Sequence, residues 1–469
     1  MISQEEYYVR RSRLMKSLSG HHALIYMQGN SEINRNVGVP FEFRQDSHFR
    51  YLTGIDIPGV SMMLIPDENK YILFAPEQSV DDQVWDGKGP SHSEIKKFFG
   101  ADGIYVPGKE SDVAIRYGPK IVHSLHGPAK FTNSIKSVCS NVQEDINMTT
   151  GDLSRQLVDM RLIKSPSEIA EIEEALRITK DSYMDAIRET KPGVNEHAIQ
   201  AIIEHHYRAN SATYSFMPIV TMDGNVLHQF RNGAELKDGK LLLIDSGAEV
   251  NGYSADITRT FPVNGKFTPE QRAIYEIVLK AKNSVIATMK PGLNYRDMHL
   301  LAEGIIAKGL RDYGILKGNI GELLTNGAHR LFFVHGLGHP MGLDDHDCGD
   351  FPDLSAGYSK DHSRSEEFGL KFLRFARDLE PGHVVTVEPG IYFIPALLED
   401  PELRKKHREF VNFDKALELV DSVSGIRIED DVLITPTGSR VLGPKIPEEP
   451  AEFEVLIGSI NWNFVEKNQ

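Results

Sequence analysis

The chain has 469 residues, more than one hydrophobic core usually holds, so two domains are expected. Its net charge of -15 at pH 7 argues against nucleic acid or an anionic membrane surface as a partner, because both would repel it. The two cysteines, Cys139 and Cys348, are too few for a disulfide framework, and neither lies in a zinc-binding CxxC pattern. An acidic N-terminus and the lack of a long apolar run predict a cytoplasmic protein with no signal peptide and no membrane span.

The first third of the chain alternates short apolar runs with polar helical stretches. Strands are predicted at 23–27, 61–65, 70–74 and 120–123, and helices at 93–99 and 152–160. This alternation is typical of a small α/β layer domain. Ser165 and Pro166 are a helix-start signal, so a boundary is expected just before them, between domains at 1–160 and 161–469.

The second domain mixes long helices with short strands. Helices are predicted from Pro166 to the Pro192-Gly193 stop, over 197–208, and over 269–289 after the capping Thr268. Strands are predicted at 241–244, 255–261, 383–388 and 426–434. The predicted fold class is therefore α+β.

Two aspartates flank a predicted hairpin turn at Asn251-Gly252. If those two residues form the turn, Asp245 lies opposite Thr258 and Asp256 is its diagonal neighbour, roughly 7–8 Å away. Both acids could simply decorate an exposed face. The apolar run before Asp245 favours burial instead, and a buried carboxylate needs a cation or a hydrogen-bond donor.

Three histidines, His335, His339 and His346, lie in one glycine-rich segment. A lone histidine is more often a satisfied core residue than a ligand, but three in a segment whose glycines permit close backbone approach favour a site. Gly336 and Gly338 argue against a helical HExxH zinc motif, and no glutamate occupies the position of its base.

Two further acids end strand-like segments. Glu388 closes one such segment and is followed at once by a Pro-Gly turn, while Arg427 and Glu429 alternate along another and so share a face. The second pair could be a simple charge contact of little energetic value. Taken together, the aspartates, glutamates and histidine form an oxygen-rich set that suits Mn²⁺ better than structural zinc. Bridging carboxylates can hold two such ions about 3.5–4 Å apart.

These motifs resemble those of aminopeptidase P and prolidase, the proline-specific peptidases of the creatinase and methionine-aminopeptidase, or pita-bread, superfamily. The resemblance rests on the segments 43–59, 225–228, 245–256, 335–346, 388–392 and 425–431. It implies a pita-bread catalytic domain preceded by a smaller creatinase-like α/β domain of the aminopeptidase P type. It also implies two bound divalent ions, with Mn²⁺ expected first and Co²⁺, Zn²⁺ or Fe²⁺ as alternatives.

The same resemblance assigns a role to each matching residue. The metal ligands it implies are Asp245, Asp256, His339, Glu388 and Glu429. Glu388 is also the implied proton shuttle, and the groups implied around the scissile carbonyl are His228, His335, His346 and Arg427. Tyr392 and Arg374 are implied substrate contacts. Trp85 matches a tryptophan that a neighbouring subunit inserts near the site, so a homodimer or a larger homo-oligomer is expected.

The expected reaction is removal of the residue that precedes proline at the N-terminus of a peptide. The alternative within the family is an Xaa-Pro dipeptidase, which Arg374 and the long stretch 394–423 favour. The segment Ile394–Leu397 and the tail 441–447 resemble the aminopeptidase branch instead.

More distant alternatives fit less well. Methionine aminopeptidase lacks the extra N-terminal domain, creatinase lacks the metal ligands, and a non-catalytic binding module would have lost some of those ligands. Pro340 and Asp345 depart from the family pattern, Asp345 standing where relatives usually have an apolar residue.

Overall fold

The computed structural model describes residues 2–20, 22–125, 147–149, 151–231, 233–351, 356–358 and 362–459. It divides into two compact units, Met1–Arg161 and Leu162–Gln469. Cys139 lies outside the described residues, whereas Cys348 is buried. Within the described ranges, no helix is both long and apolar enough to cross a membrane.

The first unit contains one mixed sheet and several helices. Its helices are α1 (Gln4–Ser17), α2 (Ser47–Thr53), α3 (Val80–Asp86), α4 (His92–Phe99), α5 (Glu110–Tyr117) and α6 (Gly151–Leu162). Its strands are β1 (Ala23–Gln28), β2 (Asn34–Asn36), β3 (Val39–Pro40), β4 (Ser61–Ile65), β5 (Lys70–Phe74), β6 (Gly103–Tyr105), β7 (Ile121–His123) and β8 (Asn147–Thr149). The main sheet has the order β6-β5-β4-β1-β7-β8, and β2 pairs with β3 apart from it.

Period-two alternation builds the core of this unit. Leu24 and Tyr26 of β1 lie two residues apart, so they point to the same face of the sheet. Alternate residues of β4 and β5 join them, and Val113 and Ala114 of α5 pack against this face. The strands predicted at 61–65 and 70–74 are confirmed with the same bounds.

The second unit combines long helices with small antiparallel sheets, which confirms the α+β class. Its helices are α7 (Pro166–Glu189), α8 (Glu196–Ala209), α9 (Pro269–Thr288), α10 (Tyr295–Tyr313), α11 (Ile320–Asn326), α12 (Pro395–Leu398), α13 (Pro401–His407), α14 (Phe413–Leu417), α15 (Leu419–Ser422) and α16 (Pro450–Leu456). Its strands are β9 (Thr213–Tyr214), β10 (Ile219–Thr221), β11 (Leu241–Ser246), β12 (Ala248–Val250), β13 (Tyr253–Ser254), β14 (Ile257–Pro262), β15 (Val384–Val387), β16 (Gly390–Tyr392), β17 (Gly425–Arg427), β18 (Asp430–Ile434) and β19 (Ser439–Val441).

The long helices begin where the sequence predicts. The Ser165 hydroxyl accepts a hydrogen bond from the Glu168 amide, and the Glu168 carboxylate accepts one from the Ser165 amide. These reciprocal bonds satisfy amide groups that the first helical turn leaves without partners. Thr268 and Gln271 repeat the arrangement at the start of α9. Helix α7 packs against α8, and α9 packs against α10.

The predicted hairpin has the predicted register. Asn251 and Gly252 both have positive φ, 51° and 84°, as a tight two-residue turn requires. Asp245 of β11 lies opposite Thr258 of β14. The strand predicted at 255–261 begins two residues later, as β14, because β12 and β13 leave the sheet of β11 and β14 after a close crossing at Gly247. A Cβ atom at Gly247 would lie 1.6 Å from the Ala255 carbonyl oxygen, so only glycine fits there.

The prediction of one continuous strand over 426–434 is wrong. Strand β17 pairs with β16, whereas β18 pairs with β15 and β19. The chain changes partner at Glu429, whose amide donates to the Thr258 carbonyl oxygen at 3.1 Å. Glu388 lies at the matching gap between β15 and β16. Both glutamates are therefore placed where strands change partners.

Arg259 is a buried cation that joins β14 to the segment carrying Glu429. Its Nη1 donates to the carbonyl oxygens of Thr258 and Glu429, at 3.0 and 2.6 Å. Its Nη2 donates to Asp430 Oδ1 at 2.7 Å, and its Nε donates to the Pro447 carbonyl oxygen at 2.9 Å. Arg259 thus fixes the backbone on both sides of Glu429.

We expect Arg259→Met to lower the free energy of unfolding by about 3–5 kcal/mol, because it removes one partner of a buried ion pair and leaves carbonyl groups without donors. Urea denaturation followed by circular dichroism measures the change. Arg272→Met is the matched control, since Arg272 makes a half-exposed ion pair with Glu276 on α9 and should cost less than about 1 kcal/mol. Equal losses in the two variants would contradict the structural role of Arg259.

Candidate metal centre and substrate cavity

The second unit contains a cavity of about 600 Å³. All the predicted site residues line it except Tyr392 and Trp85. Its remaining wall is largely apolar and includes Phe216, Phe230, Phe368 and Phe372. A cavity with an apolar wall and a small set of convergent polar groups is the usual form of a small-molecule site.

The predicted metal ligands lie together in this cavity. His339 Nε2 is 3.4 Å from Asp256 Oδ2 and 3.7 Å from Glu388 Oε1. Ligand atoms of Asp256, His339 and Glu429 lie within 4.8 Å of one another. Asp245 is 8% exposed and Glu429 is 2% exposed, so both carboxylates are largely removed from water.

The unsatisfied atoms of this cluster fit a divalent cation. Asp245 Oδ1 and Asp256 Oδ1 are buried and have no hydrogen-bond partner among the described residues. A buried carboxylate oxygen without a donor is costly, and a metal ion removes that cost. The donor set combines carboxylate oxygens with a single imidazole nitrogen, which suits Mn²⁺ and similar ions.

The acidic groups are protonated more easily here than in water. Burial raises the pKa of Asp245 to about 6 although Arg427 opposes the change, and it raises the pKa of Glu388 to about 7 against the effect of His339. Burial and the charge of Asp256 raise the pKa of Glu429. For His339, burial lowers the pKa, but the hydrogen bond to Asp256 and the negative charges of Glu388 and Asp256 together outweigh it, so the pKa is raised. These raised pKa values indicate that the positive charges around the cluster do not balance its carboxylates.

Thr258 connects three of the predicted site residues. Its hydroxyl donates to Glu429 Oε2 at 2.6 Å and accepts from Arg427 Nε at 3.1 Å. Arg427 also pairs with Asp245 through its Nη2. Arg427 and Glu429 thus lie on one face, as the alternation in sequence predicts. Sequence reasoning placed Thr258 opposite Asp245 in the hairpin but assigned it no role at the site.

His335 belongs to a hydrogen-bond chain at the back of the cavity. Its Nδ1 donates to the Gly336 carbonyl oxygen at 2.7 Å, so its Nε2 accepts from the Tyr392 hydroxyl at 2.8 Å. The Tyr392 oxygen in turn accepts from Arg427 Nη1 at 2.9 Å. Tyr392 is fully buried and does not itself line the cavity, so its predicted role as a substrate contact stays a prediction. Its hydroxyl contacts orient His335 and Arg427, which do line the cavity.

Three further predicted residues line the more exposed part of the cavity. Burial lowers the pKa of His228 and, to about 2, that of His346, so both imidazoles are neutral near pH 7. Arg374 adds to both shifts, which places its charge near these rings. Arg374 makes no side-chain hydrogen bond or ion pair with any described residue. Its free guanidinium is available to a ligand.

Other residues near the centre were not assigned a role from the sequence. Asp431 Oδ2 accepts from the Asp256 amide at 3.1 Å and so fixes the backbone of a predicted ligand. Asp345 lines the cavity and forms a group with His339 and His346 whose ligand atoms lie within 4.8 Å of one another.

Trp85, to which the sequence assigns a contact from a neighbouring subunit, lies in the first unit on α3 and is 84% exposed.

Largely buried carboxylates and one histidine converge at strand ends and in the segments between antiparallel strands, beside a cavity. This arrangement suits a metal-dependent hydrolase of the α+β class. The model of metallopeptidase family M24 matches residues 170–436. The model of the aminopeptidase P N-terminal domain matches residues 7–114. The chain belongs to metallopeptidase family M24, with a pita-bread catalytic domain after an aminopeptidase P type N-terminal domain.

Named relatives cover nearly the whole chain. An Xaa-Pro aminopeptidase of Escherichia coli (strain K12) is 33% identical over 97% of this chain and 98% of its own length. An Xaa-Pro dipeptidase of Homo sapiens is 32% identical over 97% of this chain and 94% of its own length. The structure of Pseudomonas aeruginosa aminopeptidase PepP superposes with a TM-score of 0.84 at 31% identity, covering 98% of both chains. That of Escherichia coli aminopeptidase P with the inhibitor Pro-Leu has a TM-score of 0.82 at 31% identity, covering 97% and 98%.

We expect Mn²⁺ to stabilise the protein more at pH 7.5 than at pH 5.5. A raised carboxyl pKa means that the folded chain binds protons more tightly than the unfolded chain. The free energy of unfolding of the metal-free protein therefore falls as the pH rises from about 4, where the unfolded carboxyls titrate, through the folded pKa values of about 6 for Asp245 and about 7 for Glu388. Mn²⁺ must displace those protons, so its apparent affinity should rise roughly tenfold per pH unit for each proton displaced.

The Tm in EDTA and in excess Mn²⁺ at each pH measures this difference. The EDTA series is the control, because it contains every effect of pH that does not involve the metal. A Tm increase of the same size at both pH values would contradict the coupling between protons and metal.

Proposed function

We propose that this protein is a dinuclear-metal Xaa-Pro aminopeptidase, which releases the N-terminal residue from peptides with proline in the second position. The observation that supports it most is the group Asp256, His339 and Glu429 within 4.8 Å, with unpartnered carboxylate oxygens beside it, in the cavity of an M24 peptidase. We assign catalysis to residues 161–469 and regard 1–160 as the accessory domain. Mn²⁺ is the proposed metal.

The proposed ligands are Asp245, Asp256, His339, Glu388 and Glu429. Bound divalent ions would polarise the scissile carbonyl and lower the pKa of water, which makes it a nucleophile near neutral pH. Thr258 and Arg427 hold two of these carboxylates in place through the contacts at Glu429 and Asp245. Because Arg259 and Asp431 fix the adjacent backbone, the ligand geometry is set before metal binds.

Glu388 is the proposed proton carrier. Its carboxylate lies beside His339 and faces the cavity. A carboxylate held between the reacting water and the leaving nitrogen can accept a proton from the first and donate it to the second. Glu388 would take the proton from the attacking water and pass it to the nitrogen of the departing proline, which has no N–H of its own.

His228 and His346 are the proposed donors to the scissile carbonyl oxygen. Both are neutral near pH 7, so each carries one N–H without adding a charge that would repel the metal ions. Donors aimed at a developing oxyanion are worth several kcal/mol of barrier. Both ring nitrogens of His335 already have partners, so its proposed contribution is to hold Arg427 and the rear wall through Tyr392.

Arg374 favours one alternative, an Xaa-Pro dipeptidase. Its side chain lines the cavity and makes no hydrogen bond or ion pair with a described residue, so it could bind the free carboxylate of a dipeptide. A related human enzyme carries the name Xaa-Pro dipeptidase. Longer peptides have no carboxylate at that position.

A comparison of kcat/KM on Ala-Pro and Ala-Pro-Ala tests the proposal directly. The Mn²⁺-loaded protein is expected to cleave the tripeptide at least as well as the dipeptide, and Arg374→Met should leave tripeptide cleavage within about threefold of wild type. Cleavage of the dipeptide alone, with a loss of roughly 10–150-fold in Arg374→Met, would establish the dipeptidase instead, since a charged hydrogen bond contributes about 1.5–3 kcal/mol.

His339→Ala provides the matched inactive variant for this assay. It is expected to abolish Mn²⁺-dependent hydrolysis of both peptides and to leave the circular dichroism spectrum unchanged. His205→Ala, which changes an exposed histidine of α8, should retain full activity. Wild-type activity in His339→Ala would refute the ligand assignment.

We also propose that the active form is a homodimer or larger. Helix α3 has no buried residue, and three of its apolar side chains are strongly exposed: Val80, Val84 and Trp85. Such apolar residues on one short helix suit burial against a second copy of the chain.

Sedimentation velocity is expected to show an oligomer for the wild type and a smaller species for Trp85→Ser, with reduced peptidase activity. Phe98→Ser, which removes another exposed aromatic residue of the first unit, is the control and should sediment like the wild type. A fully active wild-type monomer would contradict the proposal.

A further inference from the structure

Asp345 adds a carboxylate to the metal centre that the assigned ligands do not include. It lines the cavity next to His346, and its Oδ2 lies 3.6 Å from His346 Nε2. Its side chain is 17% exposed, and its Oδ1 is buried without a hydrogen-bond partner among the described residues. It also lies within hydrogen-bonding reach of the Asp256 side chain.

The contact between Asp345 and Asp256 needs a proton or a cation between the two carboxyl groups. Two buried carboxylates side by side repel each other strongly, because little water is present to screen them. Each has an Oδ1 atom with no partner in the described ranges, and Asp256 is 4% exposed. A divalent cation between them would remove the repulsion and satisfy both oxygens.

His339 determines which ion this would be. Two groups of possible ligand atoms are present, one formed by Asp256, His339 and Glu429 and the other by His339, Asp345 and His346. His339 Nε2 belongs to the first group, since it faces Asp256, while Nδ1 contacts the Pro340 carbonyl oxygen. One imidazole nitrogen binds one metal ion. Because His339 is common to both groups, Asp345 lies beside the ion that His339 would bind.

We propose that Asp345 is an additional ligand of the ion held by His339, so that three carboxylates, those of Asp256, Glu429 and Asp345, surround that ion. This inference rests on the proposed dinuclear centre and goes beyond its five assigned ligands. A further anionic oxygen strengthens the attraction for a divalent cation and favours ions that prefer oxygen, such as Mn²⁺, over Zn²⁺.

Calorimetric titration of the EDTA-treated, dialysed full-length protein with MnCl₂ tests the proposal. In Asp345→Asn, which keeps the shape and removes the charge, one of the two Mn²⁺ sites should weaken at least tenfold and the other should change less than threefold. The metal content after gel filtration at limiting Mn²⁺ should fall from two ions per chain toward one. Asp344→Asn is the matched control, because it removes the neighbouring carboxylate, which does not line the cavity.

The Tm in EDTA separates a lost ligand from a damaged fold. Asp345→Asn should be at least as stable as the wild type without metal, because the repulsion from Asp256 is removed. A weakened site together with that Tm supports the proposal. Two Mn²⁺ ions bound with unchanged affinity in Asp345→Asn, or an equal loss in Asp344→Asn, overturns it while the proposed function stands. A wild-type protein that binds no Mn²⁺ overturns both.

Discussion

The repulsion among buried carboxylates is the constraint on which the rest of the catalytic unit depends. Asp245, Asp256 and Glu429 are each less than a tenth exposed, and Arg427 is the cation that lies against them. Arg259 and Lys282 are also buried nearby, but their charges pair with Asp430. The folded chain therefore holds more buried negative charge than its own cations neutralise. Such a site is costly without metal, and the surrounding packing must supply the stability that it lacks.

The fold meets this constraint by placing the acids where strands change partners. At Glu388 and Glu429 the chain leaves one sheet and enters another, so the side chain can turn toward the cavity while the backbone keeps its hydrogen bonds. Thr258 joins these segments twice, through its backbone to the Glu429 amide and through its hydroxyl to the Glu429 carboxylate. The ligands thus lie at strand ends and in the segments between strands, and hydrogen bonds from neighbouring segments hold them in place, as precise metal geometry requires.

Local chemistry explains which parts could be predicted from the sequence. The pairing of Asp245 with Thr258 follows from one turn, because a two-residue hairpin fixes the register of everything behind it. The break in the strand at Glu429 depends on a bridge to Thr258, 171 positions away, which no local pattern reveals. The same holds for Tyr392: its place in a motif marks it as important, but only the tertiary structure shows that its hydroxyl contacts His335 and Arg427. The spacing of residues in the sequence predicts which of them are neighbours along a helix or strand. The direction in which a side chain points depends on packing against segments that are distant in the sequence.

The charges of the cavity also give a bound peptide one favourable orientation. The metal ligands make one part of the cavity acidic, while Arg374 and the neutral ring of His228 lie in its more exposed part. A free N-terminal ammonium group is attracted to the acidic part, and a carbonyl or carboxylate oxygen is attracted to the arginine and the imidazole N–H group. That polarity suits an enzyme that works from the N-terminus, because an internal peptide segment carries no ammonium group to occupy the acidic end. The same distribution of charge that makes the metal-free site unfavourable therefore helps the enzyme to select the N-terminal end of its peptide substrate.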